Sequence, residues 1–150
     1  MSSYIERPRF FCSLGGALST LEALPETIPV LHCAVGCAGN IAWAQNGGSA
    51  LQVGGYCGGL TVPSSNVGER DVVFGGTERL HEQIESTLEL MDGRLFVVIT
   101  GCVTEIIGDD IRSVTNEFFD RADIVAANTG GFKGNSYLGY DIVLSEIVKQ

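Results

Sequence analysis

The sequence predicts an α/β fold, a Rossmann-like three-layer domain with a mostly parallel sheet. Two observations carry this. Leu95-Phe96-Val97-Val98-Ile99 is an uninterrupted apolar run, the pattern of a strand buried on both faces at the centre of a parallel sheet. Other short apolar strands alternate with segments of helical periodicity, which implies right-handed crossovers into one sheet.

In chain order, a short amphipathic helix is expected from Ala17 to Leu24, closed by Pro25. Strand Ile28-Pro29-Val30-Leu31-His32 follows, then a helix starting near Cys37 and running through Trp43 to about Gln45. Glycine, serine and proline dominate from Asn46 to Asn66, which reads as an irregular excursion with one short strand at most. Asp71-Val72-Val73-Phe74 reads as a brief strand stopped by Gly75-Gly76. Thr77 is placed to cap the next helix, in which Leu80, Ile84, Thr87, Leu88 and Met91 recur at helical spacing. His81 falls on the polar side of that helix, as a solvent-exposed histidine would. After the 95–99 strand, a helix is expected from about Asp109 to Phe119, with Asp109 as its cap and Asp110 as first-turn charge. Strand Asp123-Ile124-Val125-Ala126-Ala127 and a last helix from Leu138 to Lys149 complete the chain.

Composition limits what such a domain can do. The 150 residues fit one domain, and 45% hydrophobic against 18% charged residues suffices for a proper core. A net charge of −9 argues against nucleic acid and anionic membranes as partners, while leaving an acidic face for a basic protein. The amino terminus lacks the apolar region of a secretory signal, and no run approaches the roughly 20 residues of a membrane helix, so a cytoplasmic protein is expected. In that compartment, five cysteines read as ligands, redox thiols or small core residues before disulfides.

Three cysteines occupy equivalent positions. Cys12 precedes the first helix, Cys37 follows a strand at a helix start, and Cys102 follows the central strand and opens a helix. The carboxyl edge of an open α/β sheet is where chemistry is placed, and a thiol at a helix amino terminus is favoured as thiolate. Their spacing lacks the C-x-x-C pairs of a local zinc site, but helix starts on one sheet edge can meet in space, where thiolates serve iron–sulfur clusters. Cys33 reads first as a small buried hydrophobe, and Cys57 as a further ligand or a loop-packing residue. Twenty glycines cluster at the junctions between apolar segments, as hinges and caps or where backbone approaches a bulky group. Trp43 is most simply a core or interface aromatic, and Glu69 and Asp71 carry no catalytic assignment. No Ser-His-Asp order, Walker loop or GxGxxG fingerprint marks a hydrolase or nucleotide site.

Taken in order, Cys-x-x-Gly-Gly-Ala at Cys12, His-x-x-x-Gly-Cys from His32 to Cys37, Ser65 to Gly76, Gly101-Cys102 through Ile111, and Gly131-Phe132-Lys133-Gly134 with Gly139-Tyr140 resemble the first domain of nitrogenase component 1 subunits and their relatives. The resemblance implies the first of three such domains, filling 1–150, with the later domains and their cofactor ligands absent. It further implies that Cys12, Cys37 and Cys102 are ligands of an iron–sulfur cluster, either a P-cluster (8Fe-7S) or a 4Fe-4S cluster. Implied partners are a homologous component 1 subunit sharing the cluster and an ATP-dependent iron–sulfur reductase. Tyr140 stands where α-type subunits carry a histidine, Glu105 and Gly139-Tyr140-Asp141 look β-type, and Cys33 replaces the usual glycine after the motif histidine. Glu105 is expected near the cluster edge or capping a backbone amide.

Two functions follow from the resemblance. One is an electron-transfer domain of a nitrogenase-like oxidoreductase, inactive in isolation; the other is a cofactor-assembly scaffold without turnover. A plain Rossmann-like binding domain, whose cysteines pack or hold zinc, stands as a third reading. The cluster reading expects the three sulfurs to converge on one sheet edge, at an apolar surface suited to another subunit.

Overall fold

The structure, a computed structural model, describes residues 12–48 and 62–150, with side chains for all of these except 42–48. Cys57 and the side chain of Trp43 lie outside the described residues. Three strands, β1 (Thr27–His32), β2 (Leu95–Thr100) and β3 (Ile124–Ala127), form a parallel sheet in the order β1-β2-β3. Registers pair Val30 with Val98 and Val98 with Ala126, so all three strands end on the same edge.

Alternation along the strands assigns the two faces. Leu31, Val97, Ile99, Val125 and Ala127 face helices α1 (Ser13–Glu22) and α7 (Ser136–Lys149), packing with Leu14, Leu18, Leu21 and Val143. Val30, Phe96, Val98 and Ile124 face α4 (Thr77–Leu90) and α6 (Ile111–Asn116), with Leu80, Ile84, Val114 and Phe118. The result is the expected three-layer α/β domain. α2 (Val35–Gly48) follows β1, so the chain expected to turn irregular at Asn46 is still helical there. Beyond it, residues 63–67 run beside the end of β1: Leu31 N donates to Pro63 O, and Val67 N to Cys33 O.

α1 and α7 cross at glycines. A Cβ on Gly139 would collide with the Ser13 carbonyl oxygen and lie 2.8 Å from the Ala17 nitrogen, and one on Gly16 would lie 2.5 Å from Ser136 Cα. Backbone-to-backbone contact of this kind excludes any side chain. Close backbone approach, one of the two roles the sequence left open for its glycines, is the one Gly16 and Gly139 take.

Four local expectations are corrected. The brief strand at 71–74 is a helix, α3 (Glu69–Phe74). Its start is fixed by the Asp71 carboxylate, which accepts from Gly68 N at 2.9 Å, and its end by Gly75 at φ 97°. Those local bonds override the β-branched run Val72-Val73; α3 buries no residue, and Phe74 is 82% exposed. Second, α4 begins after Gly76 with no side-chain cap, so Thr77 is its first residue and not its cap. Third, the expected helix over 109–119 is shorter: α5 (Cys102–Ile106) comes first, Gly108 at φ 80° breaks the chain, and α6 then runs from Ile111 to Asn116. Fourth, the cap of α6 is Asp110, whose side chain accepts from Ser113 N at 3.0 Å, while Asp109 turns inward. His81 is half-exposed, paired with Glu117 at 3.2 Å and set against the Phe118 ring at 4.8 Å.

Candidate thiol site

Each strand end delivers one component to the carboxyl edge. After β1 the chain passes Cys33 and enters α2, whose first turn carries Cys37; Cys37 N donates to Ala34 O at 3.0 Å. After β2, Gly101 is the N-cap and Cys102 the first residue of α5. Two bonds to the His32 carbonyl anchor this turn, from Gly101 N at 2.9 Å and Thr104 Oγ1 at 2.8 Å. After β3 the chain runs to a 3-10 turn, Gly131–Lys133. Cys12, the N-cap of α1, arrives from the opposite direction: it bridges Asn135, and Ser13 N donates to Gly134 O at 3.0 Å.

Gly131 is where these pieces meet. A Cβ placed there would lie 3.0 Å from the Cys12 sulfur and 3.1 Å from the Cys102 sulfur. The two thiols therefore bracket a space that any larger residue at 131 would fill. Cys37 belongs to the same neighbourhood. Burial raises its pKa first, and negative charge on Cys102 and Cys12 raises it further, so it senses both. Cys12 is exposed, while Cys37 and Cys102 are partly buried. Val35, Phe132 and Tyr137 stand exposed on the flanking segments. Among the described residues, no group of three or more His, Cys, Asp or Glu side chains is arranged to hold a metal ion. A cluster several ångströms across accepts thiolates at wider separations than a single ion does.

Cys33 is the cysteine that burial removes from chemistry. It is sealed in the core, and desolvation pushes its thiol up to about 12. An inert, packed thiol results.

Behind the edge lies a polar chain whose members were noticed singly in the sequence and not together. His32 is fully buried between Ser65 Oγ at 2.9 Å from Nδ1 and Asp109 Oδ2 at 2.9 Å from Nε2. Asp109 Oδ1 also accepts from Gly76 N at 2.9 Å. Burial holds the His32 pKa below its ordinary value, against the opposing pull of Asp109. A neutral ring, donating from Nε2 to Asp109 and accepting at Nδ1 from the Ser65 hydroxyl, satisfies both partners. Although Ser, His and Asp do meet, the Ser65 residue is itself buried, so its hydroxyl serves as a strut and not as a nucleophile. The strut links β1, the 63–67 segment, the start of α4 and the connection between α5 and α6.

A second network lies nearer the thiols. Glu105, one turn beyond Cys102, accepts from Thr100 Oγ1 and from Gly130 N at 2.6 Å, and pairs with Lys133. A place near the cluster edge or a cap on a backbone amide was expected, and Gly130 supplies such an amide. The Lys133 partnership carried no signal in the sequence, because it depends on how the 3-10 turn folds back.

Residues 12–150 match the family described as Nitrogenase component 1 type Oxidoreductase. A nitrogenase iron-molybdenum cofactor biosynthesis protein NifE from Methanosarcina barkeri is 30% identical over 131 residues, which is 86% of this chain and 27% of the relative. A nitrogenase vanadium-iron protein beta chain from Trichormus variabilis is 28% identical over 94% of this chain and 31% of its own length. The chain thus spans well under half the length of these relatives. A solved structure of nitrogenase Cp1 at pH 6.5 superposes with a TM-score of 0.80 at 18% identity, over 99% of this chain and 32% of that one, which establishes the shared fold. With residues 12–150 matched, this chain belongs to the nitrogenase component 1 type oxidoreductase family.

Proposed function

We propose that this chain is the cluster-binding first domain of a nitrogenase-like oxidoreductase subunit, and that Cys12, Cys37 and Cys102 hold an iron–sulfur cluster of the P-cluster or 4Fe-4S type. The observation that supports it most is the Gly131 cradle, a space flanked by two sulfurs and kept open by the absence of a side chain. Thiolates are the donor set such clusters require. When bound, the cluster supplies one-electron transfer. The protein's own part is to fix three thiols on rigid elements, to exclude water on the core side, and to leave Cys12 at the rim. Three protein thiols leave room for ligands from elsewhere, and exposed Val35, Phe132 and Tyr137 suit a homologous component 1 subunit sharing the site. An ATP-dependent iron–sulfur reductase is the proposed electron donor, and the substrate site belongs to domains beyond this one.

The similarity to cofactor biosynthesis proteins favours a second reading, in which the same thiols hold a maturing cluster and pass it on without turnover. Anaerobic reconstitution of the chain with ferrous iron and sulfide tests what both readings share. Iron and sulfide uptake with a paramagnetic signal on reduction, lost in the Cys12→Ser, Cys37→Ser and Cys102→Ser variants, is expected. A colourless, iron-free wild type would overturn the cluster assignment. Turnover with the reductase and partner subunit then separates electron transfer from assembly.

A further inference from the structure

We propose that the Glu105–Lys133 ion pair positions the Gly130-Gly131 backbone against the Cys12 and Cys102 sulfurs and sets the reduction potential of the cluster they hold. This deepens the iron–sulfur reading and rests on it.

Glu105 is a carboxylate that is expensive to place. Its side chain is 9% exposed, and a buried charge is costly unless it is paired and hydrogen-bonded. Glu105 meets both conditions at once. Oε1 takes Thr100 Oγ1 from the end of β2 and Gly130 N from the chain leaving β3, and Oε2 takes the Lys133 ammonium. Lys133 also donates to the Asn128 carbonyl at 3.1 Å, so it straps the turn from Asn128 to Lys133. The adjoining Thr129 is pinned separately, through Thr100 and Ser13. Ser13 Oγ also holds the Gly130 carbonyl, at 2.7 Å; what Glu105 adds is the hold on the Gly130 amide, next to the residue whose missing Cβ makes room for both sulfurs.

Geometry alone does not require a charge. A neutral amide at 105 would still accept from Thr100 and Gly130. The charge has meaning only with Lys133, and the pair places opposite charges beside the thiols, the negative one buried and the positive one a third exposed. A nearby negative charge disfavours adding an electron, and a nearby positive charge favours it. Removing either partner unmasks the other, so the two losses shift the potential in opposite directions.

The test uses the 150-residue chain reconstituted anaerobically with ferrous iron and sulfide, titrated with dithionite, and followed by electron paramagnetic resonance. Glu105→Gln keeps its iron and titrates at a higher potential than wild type. Lys133→Met, in which Glu105 keeps its bonds from Thr100 and Gly130 and circular dichroism checks the fold, titrates lower, and the double variant returns towards wild type. Glu105→Ala removes the acceptor for Gly130 N and lowers iron content. Wild type that takes up no iron overturns the cluster reading and this proposal with it. Loaded wild type with both single variants unshifted, or shifted in the same direction, overturns this proposal alone.

Discussion

Replacing Gly131 by alanine separates the cradle from the rest of the fold. The new Cβ would stand 3.0 Å from the Cys12 sulfur, 3.1 Å from the Cys102 sulfur and 3.1 Å from Cys12 Cβ. Each contact is tight by a few tenths of an ångström; the two sulfurs can turn aside, while Cys12 Cβ moves only with its backbone. The cost to the metal-free fold is therefore at the low end for overpacking, about 1 kcal/mol. For a chain of this size that lowers Tm by about 2–4 °C. Iron binding should be hit harder, because the methyl group occupies the space between the two thiols proposed to hold the cluster. A loss of tenfold or more in apparent affinity, about 1.4 kcal/mol, is expected. Thermal melts of the metal-free protein and anaerobic iron titrations, run side by side, give the two numbers. Gly131→Ala that binds iron like wild type, with an unchanged spectrum, would refute the reasoning. So would a melt so depressed that iron loss merely reports unfolding.

Other substitutions probe the supports. Gly139→Ala drives a Cβ into the Ser13 backbone, which cannot move aside, and should cost about 3 kcal/mol by thermal or urea unfolding; Gly39→Ala, with nothing among the described residues within 4 Å, should be neutral or slightly stabilising. Asp109→Ala strands the His32 Nε2–H and the Gly76 amide, and should cost about 3 kcal/mol in urea melts. Because burial lowers the His32 pKa, the unfolded chain binds that proton first as pH falls; the His32 contribution is complete above its ordinary 6.5 and is lost as pH drops towards the folded value. Urea midpoints measured from pH 7.5 to 5 should show this slope, flattened in His32→Gln. Iodoacetamide at pH 8 should leave Cys33 unmodified in the native chain while Cys12 reacts, as peptide mass mapping would show.

The strands and the ends of the sheet were legible because their signals are local and strong. Leu95 to Ile99 has no polar residue to blur its pattern, and the three cysteines each stand where a strand hands over to a helix or a helix begins. The errors came where a local pattern met a more distant or more specific bond. Val72-Val73-Phe74 looks like a strand by residue type, but the Asp71 carboxylate on Gly68 N nucleates a helix. Asp109 and Asp110 are equivalent as sequence; only the position of His32, contributed by a strand far earlier in the chain, decides which caps α6 and which is buried. Gly16 and Gly139 are two glycines among twenty until the α1–α7 crossing shows why neither tolerates a side chain. Convergence of Cys12 and Cys102 at Gly131 is likewise a fact of topology, since no spacing rule links positions so far apart.

That topology also explains why the thiols rest on supports that are not themselves ligands. Cys12 is set by Ser13, whose carbonyl packs on Gly139 and whose hydroxyl bonds Thr129 O at 3.0 Å and Gly130 O at 2.7 Å. Cys102 is set by the His32 carbonyl, and the His32 ring is set by Ser65 and Asp109. Cys37 follows the same strand by one turn of chain, with Cys33 buried between. Cys12 and Cys102 thus hang from buried, hydrogen-bonded supports, while Cys37 sits on a half-exposed first turn of α2, and thiols held this way would lose little freedom on binding. The cost of ordering them is met by the hydrophobic layers on either side of the sheet. What separates the three edge thiols from Cys33 is access: Cys12 is exposed and Cys37 and Cys102 are partly buried, while Cys33 is sealed in the core.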